Sequence, residues 1–451
     1  MIGLPDGRVS PLLVGRDEVL ALALRRWEAA GEGAGHLLLV AGESGIGKTR
    51  LLRELAERLG HDARTFSAGA FPRETDAAGA VLLNLADELQ RTGLRDVADA
   101  IRARLLDNDQ TAGDPARRRR MLVGDLAQTL LDLLTEQRTL LRLEDLHWAD
   151  ELSLDVLEHL APAVRHTTSV LVATYRSDEL YPRSALRRWR ARLLEQRLAE
   201  EARLGRLGAA DTAKVVEAIT GELPSSEFVE LLQLRSDGIP LHIEELIASG
   251  AAVPDTVTDA VTARVSELGE STRSIVDAAS VIGRAFDIDI LETITAESAD
   301  RIDSALREAG EHHIVLARGD GQLYGFRHSL ICDVVYDSIP LHRRRALHAA
   351  VAAAADSVGF SRAYVSEHYE RANEPAAAFG HAMTAAGEAA RVSAHREAAE
   401  LYRRAQRTAP ADLDPVSRAE LHENLAFELA ATDDNEGAAA NLVAAMDLWR
   451  R

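Results

Sequence analysis

Gly42-Glu43-Ser44-Gly45-Ile46-Gly47-Lys48-Thr49 is the stretch from which the fold can be read. Its spacing, G-x-x-x-x-G-K-T, is that of a phosphate-holding loop. Glycines leave room for backbone N–H groups to surround phosphate oxygens, the lysine reaches the β and γ oxygens, and the hydroxyl ligates Mg2+. On this reading Gly42, Glu43, Ser44, Gly45, Ile46, Gly47, Lys48, Thr49 and the following Arg50 bind the nucleotide, ATP or ADP, and Thr49 is a metal ligand. The flanks agree. Leu37-Leu38-Leu39-Val40 predicts a buried strand before the loop. Leu51, Leu55 and Leu59 recur at i, i+4 and i+8 on a helix stopped by Gly60, so the phosphates also meet a helix N-terminus.

Such a loop needs an acidic partner at the end of a neighbouring strand. Thr139-Leu140-Leu141-Arg142-Leu143-Glu144-Asp145 supplies it, with Glu144 on Mg2+, directly or through water, and Asp145 as candidate base. Arg142 is awkward in a central parallel strand, which is ordinarily apolar on both faces, and it points to slow hydrolysis. Val170-Leu171-Val172-Ala173-Thr174 predicts a further strand and carries Arg176 to the C-terminal edge of the sheet, where a guanidinium can sense a γ-phosphate. Thr65-Phe66-Ser67 completes the strand candidates. Residues 1–205 therefore read as an α/β nucleotide-binding domain built on a parallel sheet.

The other 246 residues follow from punctuation and periodicity. Over 206–265 the pattern is helical, with Asp211 as an N-cap, Gly238 as a stop and Pro240 opening a helix. Over 266–345 three helices precede Ile314–Ala317 and Gln322–Phe326, joined by Arg318-Gly319-Asp320-Gly321, which describes a winged helix. Over 346–451 the chain is Ala-rich amphipathic helix. His395-Arg396-Glu397-Ala398-Ala399-Glu400-Leu401 recurs loosely as Asn435-Glu436-Gly437-Ala438-Ala439-Ala440-Asn441, a sign of TPR-like helical pairs whose array is incomplete.

Composition excludes several classes. The 451 residues are 46% hydrophobic and 27% charged, as a globular chain of several domains requires. A formal charge of -20 gives no overall positive field for nucleic acid or membrane surface. Beside that balance, Arg117–Arg120 reads as a solvated helix start rather than a nucleic-acid patch. Cys332 is the single cysteine, so no disulfide or multi-cysteine metal site forms, in keeping with a cytoplasmic protein; a buried small residue is its plain reading. The N-terminus shows no signal peptide, and no apolar run approaches a membrane span. Lys48 and Lys214 are the only lysines among 52 basic residues, so a lysine retained here is one that arginine cannot replace.

Taken in order, these segments resemble the STAND class of AAA+-related ATPases, in particular the N-terminal ATPase region of large LuxR-type transcriptional regulators. The resemblance runs through Leu13-Val14-Gly15-Arg16-Asp17-Glu18, the phosphate loop, Leu143 to Asp150, Ala173 to Leu180, Asp237-Gly238-Ile239-Pro240-Leu241-His242-Ile243-Glu244-Glu245-Leu246 and Phe326-Arg327-His328-Ser329-Leu330. It implies that Val14 and Arg16 lie near the base, that Pro240 packs on the adenine and that His328 touches the β-phosphate of ADP in a closed form. From residue type alone, Pro240 is a helix-opening proline and His328 a core histidine, while His147 and Trp148 serve packing. Glu144 stands where the family usually has Asp, and no helix-turn-helix is seen, so DNA is reached only through a domain outside these residues.

The expected function is a cytoplasmic ATP/ADP switch. An inducer ligand or protein acts on the helical repeats, and the ATP state self-oligomerises. Its rivals are an ATP-driven remodelling enzyme and an interaction scaffold with structural nucleotide.

Overall fold

The computed structural model describes residues 10–70, 77–106, 115–178, 184–248, 257–318 and 323–450. The N-terminal stretch read for a signal peptide, residues 179–180 of the run ending at Leu180 and residues 319–322 of the hairpin turn lie outside them.

In chain order the first half contains α1 (Asp17–Gly31), β1 (His36–Ala41), α2 (Lys48–Leu59), β2 (Arg64–Gly69), α3 (Ala80–Arg91), α4 (Arg95–Leu106), α5 (Pro115–Glu136), β3 (Thr139–Glu144), α6 (Glu151–Val164), β4 (Val170–Tyr175), α7 (Ala185–Glu195) and β5 (Glu200–Arg203). Next come α8 (Ala209–Thr220), α9 (Ser226–Ser236), α10 (Pro240–Ala248), α11 (Val257–Ser266), α12 (Glu270–Ile282), β6 (Ala285–Asp287), α13 (Ile288–Thr295), α14 (Ala299–Glu311), β7 (Val315–Arg318) and β8 (Leu323–Phe326). The rest is helical: α15 (Ser329–Ser338), α16 (Leu341–Ser357), α17 (Arg362–Ala372), α18 (Pro375–Arg391), α19 (His395–Thr408), α20 (Pro415–Ala431) and α21 (Asn435–Trp449).

These elements form two compact units. One comprises Gly15–Gly205, Ala382–Arg407 and Ala411–Arg451, the other Met1–Val14, Arg206–His381 and Thr408–Pro410. The chain passes from one unit to the other at Gly205/Arg206, and α16 starts at Leu341 behind the rigid φ of Pro340.

In the first unit five parallel strands run in the order β2-β3-β4-β1-β5. The residues of β4 are all buried and those of β1 nearly so, because strands covered on both faces must be apolar throughout. The four strands expected from their apolar runs are present. The fifth, Glu200-Glu201-Ala202-Arg203, escapes that signal: it pairs only with β1 and buries only Ala202. Arg142 does stand inside β3, between Ser67 and Val172 of its neighbours, and is half-buried there. The four-arginine run opens α5, but Arg119 is not solvated. It donates to Asp155 Oδ2 at 2.6 and 3.1 Å and to the carbonyls of Val392 and Ser393 at 3.2 and 2.6 Å.

In the second unit α8, α9 and α10 enclose a core of Leu207, Val216, Ile219, Leu232, Ile243 and Leu246. Asp211 proves to be an inner first-turn residue of α8, whose N-cap is Gly208; Asp211 instead accepts from exposed Lys214 at 2.8 Å. Three helices, α12 to α14, pack with an antiparallel sheet ordered β6-β8-β7 around Phe286, Phe326 and Ile314. Cys332 is buried in that core. Among the described residues no helix is long and apolar enough to cross a membrane.

Gly238 shows why the Gly-x-Pro element tolerates no side chain. Its φ is +71°, and a Cβ would stand 2.4 Å from the Leu207 carbonyl oxygen, on the backbone whose N–H donates to the Gly238 carbonyl at 2.7 Å. Gly238→Ala is expected to cost about 2 kcal/mol or more, from the left-handed backbone plus the clash. Urea unfolding of the full chain measures it, and a midpoint equal to the parent's would refute the constraint.

Candidate functional site

The phosphate loop leaves β1 at its C-terminal end, the edge at which open α/β sheets take ligands. Gly42 N–H donates to the Tyr175 carbonyl at 3.3 Å, tying the start of the loop to the end of β4. A Cβ at Gly42 would sit 2.7 Å from Ile46 Cγ2 and 3.3 Å from Leu204 Cβ, so only glycine lets the loop fold this closely. Gly45 and Gly47 have φ of +74° and +101°, a region that glycine enters without strain. Gly47 is also the N-cap of α2 and supplies no side-chain acceptor, an arrangement that leaves a helix N-terminus suited to an anion.

Two cations hold this loop. Lys48, buried to 7% exposure, donates from Nζ to the carbonyls of Gly42 and Glu43, both at 2.8 Å. Arg16, also buried, donates from Nη2 to the Ile46 carbonyl at 3.0 Å and from Nη1 to its neighbour's carbonyl at 2.9 Å. Ser44 and Arg50 are half-buried beside them. Arg16 therefore joins the loop directly, as a brace on its backbone.

The acidic pair ends β3. Thr49 Oγ1 donates to Glu144 Oε2 at 2.7 Å, which brings together the two expected metal ligands. Paired hydroxyl and carboxylate oxygens are the donors a hard cation such as Mg2+ takes, so these residues fit that ion. Asp145 adopts the left-handed region, at φ 58° and ψ 39°, which Asp enters more readily than most residues. Its N–H donates to Thr174 Oγ1 at 3.0 Å, so the turn is anchored on β4. His147 lies beside it, Nδ1 at 3.9 Å from Asp145 Oδ1, with a side chain only 1% exposed and its ring tilted against Trp148 at 5.2 Å. Arg176 follows β4 immediately and is half-buried.

Behind Arg176 a buried polar group fixes the end of β4. Tyr175 Oη donates to Glu201 Oε2 at 2.5 Å, and Arg190 and Arg203 bind the same carboxylate. Burial alone would raise Glu201, but the bonds from Arg190, Tyr175 and Arg203 outweigh it and hold the carboxyl at about 2. Tyr175 is pushed beyond the ordinary phenol range by burial and by Glu201. Since the Tyr175 carbonyl accepts from Gly42, this cluster braces the loop as well. Sequence reasoning missed it because Glu201 lies on the polar edge strand. Asp150 was also missed. It caps α6 by accepting from Ser153 N–H at 2.9 Å and accepts from Gly79 N–H at 2.7 Å, and the D-x-x-S spacing was the available signal.

Val14, Pro240 and His328 belong to the second unit. Val14 packs against the α8–α10 core, Pro240 opens α10, and His328 is the N-cap residue of α15, with no side-chain cap bond. Arg327 Nη2 lies 3.7 Å from Glu244 Oε2, and buried Glu245 pairs with buried Arg264. Much of the charge in the segments around Pro240 and His328 thus joins α10 to α11 and to the β8–α15 turn.

Residues 12–175 match the AAA ATPase domain family. The chain is 26% identical over 425 residues to an uncharacterized protein of Rhizobium meliloti (strain 1021), a match covering 81% of this chain and 40% of that relative. Among solved structures it is similar to a signal transduction ATPase with numerous domains (STAND) protein with a tetratricopeptide repeat sensor from Pyrococcus horikoshii. That likeness has a TM-score of 0.51 at 14% identity over 98% of this chain and 66% of the other. The chain thus spans less than half the length of its curated relative. It carries an AAA-type P-loop ATPase domain with a parallel sheet, followed by a largely helical region, and this domain implies nucleotide binding.

Lys48→Ala is expected to abolish ATP binding in calorimetry, since a charge-assisted phosphate contact is worth about 1.5–3 kcal/mol and no second lysine stands in the loop. Affinity retained within about threefold would reject the site.

Proposed function

We propose that the chain is an ATP/ADP-operated conformational switch of the STAND type, the regulatory ATPase part of a LuxR-type transcriptional regulator acting in the cytoplasm. The observation that carries this reading is the Thr49–Glu144 contact beside a braced glycine loop, in a chain whose remaining domains follow the overall fold of a STAND protein with a repeat sensor.

In this reading Lys48 and the α2 N-terminus bind the phosphates. Thr49 and Glu144 would hold Mg2+, which would supply charge neutralisation for the phosphates. Asp145 orients water and accepts its proton, and Arg176 stabilises charge on the γ-phosphate. Val14 and Arg16 lie near the base, Pro240 on the adenine, and His328 donates to the β-phosphate of ADP. The inducer acts on the helical repeats, the ATP state self-oligomerises, and DNA is contacted by a further domain. A switch works only through a difference in affinity between its two states, so a long-lived ATP state favours slow hydrolysis.

Turnover by the purified chain is expected well below the enzyme median of ~10 s⁻¹, and Asp145→Asn slows it further while leaving ATP affinity within about threefold. Phosphate release measures this. Rapid, unregulated turnover would assign the chain to the ATP-driven remodelling class instead, and bound nucleotide that never exchanges to a scaffold. His328→Ala is expected to weaken ADP retention and speed exchange, shifting the closed-to-open ratio about tenfold, with unchanged melting in the absence of nucleotide. Equal destabilisation with and without ADP would make His328 a core residue only.

A further inference from the structure

Glu397 on α19 reaches the first turn of α6, the helix that comes after the acidic pair. Its Oε1 accepts the Glu151 N–H at 2.6 Å, while its Oε2 is buried and has no hydrogen-bond partner among the described residues. The surroundings are acidic. Asp150 is buried alongside, its Oδ1 accepting from Gly79 N–H and Ser153 N–H and its Oδ2 from the Ser153 hydroxyl. Glu151 is next to it, its charge answered by Arg188 Nη2 at 3.1 Å and Arg396 Nε at 2.7 Å. From α5, Arg119 spends its donors on Asp155 and on the Val392 and Ser393 carbonyls. Among the described residues no cation is bonded to Glu397 itself.

An ionised carboxylate so placed would hold a buried charge on one N–H donor against two neighbouring carboxylates. A neutral acid leaves only an unmet hydroxyl, a far smaller cost. We infer that Glu397 is a proton-linked clasp: the α19 helix holds the α6 N-terminus firmly while Glu397 carries a proton, and losing that proton loosens the joint between the C-terminal helices and the nucleotide-binding sheet.

Two further observations agree. Burial, then Asp150 and Glu151, push Glu397 up to about 8, against backbone N–H bonds that favour its anion. Other contacts of the joint do not use this carboxyl: Arg119 bridges the Val392 and Ser393 carbonyls, Arg396 pairs with Glu151, and Val392 packs on the core of the sheet. Because the docked form prefers the neutral acid, docking is strongest below the ordinary carboxylate range. It weakens as pH rises to about 8 and levels off beyond, where both forms are ionised.

Hydrogen exchange on the full chain without nucleotide, corrected for intrinsic rates, tests this independently of any switch. Between about pH 7 and about pH 9, protection of residues 151–157 and 392–400 is expected to fall roughly tenfold, while β1 stays protected. Glu397→Gln keeps the acceptor for Glu151 N–H and is always neutral, so both segments should stay protected across that range. A flat profile in the parent overturns the clasp. So does a profile retained by Glu397→Gln, which would assign the titration to another group, such as Asp150, whose carboxyl burial also raises.

Discussion

The parallel register of β1, β4 and β3 is the constraint on which the nucleotide unit depends, and the 2.7 Å bond from Thr49 to Glu144 follows from it. Thr49 lies in the first turn of the helix after β1, and Glu144 ends β3, but the two strands are not neighbours: β4 lies between them. The side chains meet only because strand order sets the spacing and parallel register brings the three C-terminal ends to one edge. The same edge receives Arg176 and the Asp145 turn, anchored on Thr174. A helix N-terminus, an ammonium, an acidic pair and a guanidinium thus collect where backbone dipoles already favour an anion.

Precision at that edge rests on buried charged groups rather than on apolar packing alone. Arg16 on the Ile46 carbonyl and the Tyr175–Glu201–Arg190 cluster both restrain the loop backbone. Arginine's planar fork suits such multidentate bracing, which explains its use at Arg119, bound to Asp155 and to two carbonyls. Burying these ions costs solvation, so their value lies more in a defined geometry than in stability. Lysine in the loop answers a different demand, a compact charge that fits among carbonyls and phosphates.

The reach of local pattern differs between parts of this chain. The apolar runs of β1 to β4 and the glycine spacing were readable because both report on constraints met within a few residues. Edge strand β5 was not, since a strand with one neighbour need not be apolar. Asp211 looked like a cap because residue type alone cannot show that α8 starts two residues earlier, at Ala209. Arg119 looked solvated because the carbonyls it binds, at 392 and 393, are over 270 residues away.

By itself the sequence determined that a glycine loop with one lysine follows a buried strand and precedes a helix, that an acidic pair ends a later strand, and that helices dominate the remainder of the chain. These are consequences of backbone sterics and periodicity, which act locally. Only the tertiary structure decided which strand separates Thr49 from Glu144, which carboxylates are braced by arginine and which, like Glu397, are buried with no cation bonded among the described residues. Burial and charge pairing depend on residues brought together across hundreds of positions, and no local pattern encodes that proximity.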